Sequence, residues 1–120
     1  MFEGSAEEAM NFYIGLFPNS EVLELQRYED GDNAGKLVQA SFTLDGREFI
    51  CIDSPMKHDF SFTPAISIFV DCESLSEFER VFAAFEEGGK ALMPLDNYGF
   101  SEKFGRAQDR FGAPSQLNLP

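Results

Sequence analysis

Residues 88–119 run Gly88-Gly89-Lys90-Ala91-Leu92-Met93-Pro94-Leu95, then Asp96-Asn97-Tyr98-Gly99-Phe100-Ser101, and on through Lys103-Phe104-Gly105 to Asp109-Arg110-Phe111-Gly112 and Gln116-Leu117-Asn118-Leu119. The paired glycines end a helix. Short apolar runs broken by turn residues then predict strands over 90–95, 100–108 and 115–119. Immediately upstream, Ser74-Leu75-Ser76-Glu77 has the form of a capping box, in which Ser and Glu satisfy each other's backbone amides. Leu75, Phe78, Val81, Phe82 and Phe85 follow at helical spacing. Before that, residues 65–70 form an apolar run that reads as a buried strand. The order is strand, helix, three strands.

The first half repeats this order. Ser5-Ala6-Glu7-Glu8 is again a capping box, and Ala9, Phe12, Tyr13 and Leu16 mark a helix over 6–16 that Pro18 brings to a close. Residues 21–28 alternate and predict a strand with one wet face. A polar, glycine-bearing loop over 29–35 follows; it lacks the length and terminal Glu of a calcium-binding loop and reads as a solvated turn. Strands are expected over 36–44 and 47–53, joined by a two-residue hairpin turn at Asp45-Gly46. Ahead of the helix only Met1-Phe2-Glu3-Gly4 remains, so the opening strand is expected to be truncated. The capping serines and the strands after each helix recur about 70 residues apart. Four strands burying one face with one helix are marginal alone. Pairing two such units leaves a concave surface suited to a ligand.

The expected class is therefore α+β, two βαβββ modules with mixed, mostly antiparallel sheets. Residues 1–120 form one domain: a first module over 1–54, a connector over 55–64 and a second module over 65–120. The chain has 14 Phe, 3 Tyr and no Trp, and most of these handle-free rings are expected in core or pocket walls. A net charge of −12 excludes the basic face of a nucleic-acid binder and disfavours anionic membranes. No apolar run approaches the ~20 residues of a membrane span. Cys51 and Cys72 lack metal-site or redox spacing, and Cys51 reads as a small buried hydrophobe. A reduced, cytoplasmic compartment is the expectation.

Several segments together carry a family resemblance. They are Phe2-Glu3-Gly4 with residues 6–13, Leu16-Phe17-Pro18 with Ser20, residues 49–54, His58 with Phe60 and Phe62, residues 65–70, Gly88-Gly89, Met93-Pro94-Leu95, residues 98–101 and 109–112. The chain resembles PhnB-like proteins of the vicinal oxygen chelate superfamily, which includes glyoxalase I, extradiol dioxygenases and bleomycin-resistance proteins. Members of this branch often carry a demethylubiquinone methyltransferase label. The resemblance implies the glyoxalase/bleomycin-resistance-like fold and a homodimer.

In metal-dependent relatives the ligands come from the first and last strands of both halves. The resemblance places Gln116, Ile50 and a position near Ala65 there. A single neutral amide beside Ile and Ala cannot hold a divalent ion, so no metal and no cofactor are expected. Relatives usually carry Trp near Arg106 and Ser115; their absence here widens or polarises the expected cavity. The ligand-binding candidates are Gln116, Asn118, Tyr98, Ile50 and Phe100. The alternative for Gln116 and Asn118 is a pair of polar residues on the wet face of an edge strand. His58, beside Asp59, is a candidate general base, with a loop contact or hinge as the alternative.

The leading expectation is a small-molecule-binding protein. A lyase, isomerase or methyltransferase acting on a small carbonyl or aromatic compound is the other reading. Methyl transfer lacks a glycine-rich strand-to-helix turn for S-adenosylmethionine. A third reading is an interaction module acting through an open sheet edge.

Overall fold

The computed structural model describes residues 1–96 and 103–120. Its elements follow in the order α1 (Ala6–Leu16), β1 (Val22–Arg27), β2 (Leu37–Leu44), β3 (Arg47–Cys51), β4 (Ile68–Asp71), α2 (Leu75–Glu86), β5 (Lys90–Asp96), β6 (Lys103–Gln108) and β7 (Pro114–Leu119). The chain divides into two compact units, Met1–Asp59 and Phe60–Pro120.

In the first unit the sheet order is β1-β2-β3, antiparallel throughout. The β2–β3 hairpin turns at Asp45 (φ 52°) and Gly46 (φ 81°), the two left-handed residues that match the strand twist. Beside β3, Phe2 makes a parallel bridge to Asp53 and exchanges backbone hydrogen bonds with Ile52 and Ser54. One face packs on α1 around Ala6, Met10, Leu37, Ala40, Phe42 and Cys51. Strict alternation would send Leu37 and Ala40 to opposite faces. A register shift where Gln26 pairs Gln39 but Arg27 pairs Leu37 places both in the core.

The second unit repeats the plan. Its sheet order is β4-β7-β6-β5, with β4 parallel to β7 and the other pairs antiparallel. The Phe2 bridge thus stands where β4 stands in this unit. Phe78, Val81, Phe82 and Phe85 of α2 are all buried, as their helical spacing demands. The helix rests on β5, β6 and β7. Gly105 makes this approach possible: a Cβ there would lie 2.5 Å from the Phe82 ring. The fold is the α+β glyoxalase/bleomycin-resistance-like fold.

Four local expectations fail. Ser5 makes no side-chain cap bond. Instead the buried Asp53 carboxylate caps α1 from across the unit, accepting from the amides of Gly4 (2.8 Å) and Ala6 (3.0 Å) on Oδ1 and of Leu37 (2.9 Å) on Oδ2. At α2 the cap forms, Ser74 Oγ accepting from the Glu77 amide, but Glu77 reaches the Glu73 amide rather than that of Ser74. Residues of β1 are exposed on both faces, and the run read as a buried strand yields β4 with Ile68 and Phe69 half exposed. Both are edge strands, covered by a neighbour on one side only.

Candidate functional site

In a paired sheet, residues opposite one another share a face. On the second sheet Leu117 pairs Gly105 and Val70, and this row lies against α2. The alternate rows therefore point away from the helix. One is Phe69–Gln116–Arg106 across β4, β7 and β6, and the next is Asp71–Asn118–Phe104. Alternation on β7 thus puts Gln116 and Asn118 together on the helix-free face, between a cation and two aromatic rings.

The polar groups here are held. Gln116 Nε2 donates to Ser67 Oγ at 2.7 Å, which turns its amide along the sheet. Asn118 Nδ2 donates to Asp71 Oδ1 at 2.9 Å. Arg106 Nη2 donates to the Pro64 carbonyl at 3.2 Å. Phe69 and Phe104 approach with ring centroids 6.4 Å apart and planes tilted by 37°. Phe104 is buried while Phe69 is 53 % exposed, so the pair offers an open ring beside the polar groups.

Two polar atoms on this face have no hydrogen-bond partner among the described residues: Arg106 Nε and Asn118 Oδ1, both buried. Orphaned buried donors and acceptors are rare, because each forfeits its water without compensation. One is a donor and the other an acceptor, on adjacent strands in neighbouring rows. Both are occluded from solvent, so a polar ligand carrying both complements would satisfy them once the side chains covering them shift.

Ile50 lies in the first unit, opposite Ser41 and Glu24 on the face away from α1, and is 60 % exposed. That face bears an open depression of about 470 Å³ lined by Glu24, Leu25, Gln26, Gln39, Ala40 and Ser41. Tyr98 and Phe100 lie outside the described residues. The His58 Nε2 stands 2.8 Å from Ser54 Oγ, a hydroxyl that also accepts from the Met56 amide. Sequence reasoning did not identify Arg106 as a site residue or Ser54 as a partner for His58. Only strand register puts Arg106 opposite Gln116, and only the connector's path brings Ser54 to the imidazole.

Ile50, Gln116 and the position near Ala65, where the family resemblance would look for metal ligands, offer one amide beside hydrocarbon side chains, a donor set unsuited to a divalent ion. Among the described residues no group of three or more His, Cys, Asp or Glu could hold a metal ion. Burial raises both thiols above their ordinary range, Cys72 to about 11 with Glu77 and Asp71 adding to the effect, so neither is poised as a nucleophile. No helix among the described residues is long and apolar enough to cross a membrane.

Residues 1–118 match the family model described as 3-demethylubiquinone-9 3-methyltransferase. Among solved structures, the chain is similar to the PhnB protein from Bacillus cereus, at 48 % identity and a TM-score of 0.97, covering 100 % of this chain and 95 % of that one. It is also similar to protein PA1353 from Pseudomonas aeruginosa, at 27 % identity and a TM-score of 0.82, with coverage of 98 % and 91 %. The fosfomycin resistance protein FosX from Listeria monocytogenes, solved with Mn(II) and 1S,2S-dihydroxypropylphosphonic acid, shares the fold at 12 % identity and a TM-score of 0.66, covering 100 % and 87 %. No curated protein matches.

Proposed function

Since the chain belongs to the 3-demethylubiquinone-9 3-methyltransferase family, a PhnB-like branch of the vicinal oxygen chelate superfamily, we propose that it is a metal-independent small-molecule-binding protein. Its ligand occupies the helix-free face of the second sheet, among Gln116, Asn118, Arg106 and Phe69. The observation that carries this reading is the pair of unpartnered buried atoms there, Arg106 Nε and Asn118 Oδ1. The half-exposed Phe69 ring adds apolar area of the kind ligand sites use. The working form is a cytoplasmic homodimer of one-domain subunits. A family description alone does not assign methyl transfer, because function follows the site rather than the fold.

The test is a thermal-shift screen of small polar and aromatic compounds on the full chain, with and without divalent ions. Hits are then mapped by amide chemical shift. Metal-independent hits that perturb residues 67–71 and 116–118 are expected. Tight binding of one divalent ion per chain, or hits only in its presence, would overturn the reading.

The hydroxyl–imidazole pair of Ser54 and His58 favours a second reading, an enzyme acting on a small carbonyl or aromatic compound. A 2.8 Å contact is close enough for proton transfer once the hydroxyl releases the Met56 carbonyl, to which it donates at 2.9 Å. Loss of turnover in a folded His58→Gln variant, with ligand affinity intact, would decide for it.

A further inference from the structure

The Phe69–Gln116–Arg106 row sets an exposed aromatic ring and a guanidinium on one face, two strands apart. At about 4.8 Å between neighbouring strands, their backbones stand roughly 10 Å apart, which leaves room between the side chains for one aromatic ring bearing a carboxylate. Gln116 lies between them with its amide tied to Ser67. Arg106 is anchored through Nη2 to a backbone carbonyl, which fixes the guanidinium plane and leaves the Nε–H without an acceptor among the described residues. Arginine cannot shed its charge, and its planar fork matches the two oxygens of a carboxylate. The one carboxylate in the adjacent row, Asp71, lies on β4 and is bound by Asn118 rather than by Arg106. The cation is thus held in place and left uncompensated by an acidic side chain among the described residues.

Resting on the binding reading above, we propose that this face selects small aromatic carboxylates, with Arg106 taking the oxyanion and Phe69 the ring. The selectivity is local. The net charge of −12 opposes any anion at long range, but that field is largely screened beyond ~8 Å at physiological ionic strength. A carboxylate in contact with Arg106 lies inside that distance, whereas one elsewhere on the surface meets mostly acidic neighbours.

Four probes separate the parts of this claim: benzoate, its neutral isostere benzamide, the cation benzylamine, and acetate, which has the head without the ring. Each is titrated into the ¹⁵N-labelled full chain at pH 7. Benzoate is expected to perturb the amides of Phe69, Arg106 and Gln116. It should bind at least about tenfold more tightly than benzamide or acetate, the scale of one charge-assisted pair. A folded Arg106→Gln variant should lose the preference for benzoate over benzamide, whereas Phe69→Ala should weaken both alike. Equal binding of benzoate and benzamide to the unaltered protein overturns the proposal without recourse to any variant. Undiminished benzoate preference in Arg106→Gln overturns it as well. Benzamide or benzylamine on this face without a benzoate preference removes the oxyanion claim and leaves the binding reading standing. A face untouched by all four probes removes both.

Discussion

Replacing Asp53 by Ala should unfasten the start of the first unit. Its carboxylate accepts from three backbone amides that come from the N-terminal segment, the first turn of α1 and the first residue of β2. Asp53 is 2 % exposed, so water cannot replace these bonds without entering the core. The Ala6 and Leu37 bonds are buried and the Gly4 bond is partly so. Each buried amide left without an acceptor costs about 1–3 kcal/mol, so the loss should total roughly 3–6 kcal/mol. That is a large fraction of the ~5–15 kcal/mol by which domains are stable. Asp53→Asn keeps one acceptor oxygen but presents an NH₂ group to a donor, and should cost about half as much. Urea unfolding followed by circular dichroism gives the free energies. Amide exchange gives the location, with the Ala6 and Leu37 amides losing protection in Asp53→Ala. A loss under about 1 kcal/mol with an unchanged denaturant slope and undiminished protection at both amides would refute the capping role.

Gly105→Ala drives a methyl into the Phe82 ring and should cost about 1–3 kcal/mol, with part of the loss recovered by adding Phe82→Leu. Gly15→Ala meets nothing within 4 Å in α1 and should instead stabilise by about 0.5–1 kcal/mol; opposite signs in urea titrations check the pair. Ser74→Ala should cost about 1 kcal/mol by removing the α2 cap, while Ser5→Ala should change stability by only a few tenths, since Ser5 makes no cap bond. The Cys72 thiol, raised to about 11, should be inert to a thiol reagent at pH 8 until the chain unfolds. Because its folded value lies above the unfolded one, its contribution to stability is complete below about pH 9. That contribution falls as pH rises through about 11, and Cys72→Ala should flatten this part of the pH–stability profile.

The two Ser-x-x-Glu motifs show where sequence stops being decisive. Both read as capping boxes, and only Ser74 caps its helix. The competitor at α1 is Asp53, 47 residues away from the Ala6 amide it binds, and no local pattern could weigh it. The candidate site divides along the same line. That Gln116 and Asn118 share a face was legible, because a strand's alternation puts i and i+2 on one face. Arg106 was not, because cross-strand pairing is a property of two segments and their register. The same holds for Ser54 and His58, four residues apart in an irregular connector with no period to place them.

What the sequence determined by itself was the duplicated strand–helix–three-strand plan. Helical and strand periodicities, glycine turns and the α2 cap are all short-range, so they survive without knowledge of the partner segments. The tertiary structure alone decided which side chains meet. The register shift that brings Leu37 into the first core and the pairing that sets Phe69, Gln116 and Arg106 in one row both depend on how one strand lies against another. Free energies of that kind are fixed only when distant segments come into contact.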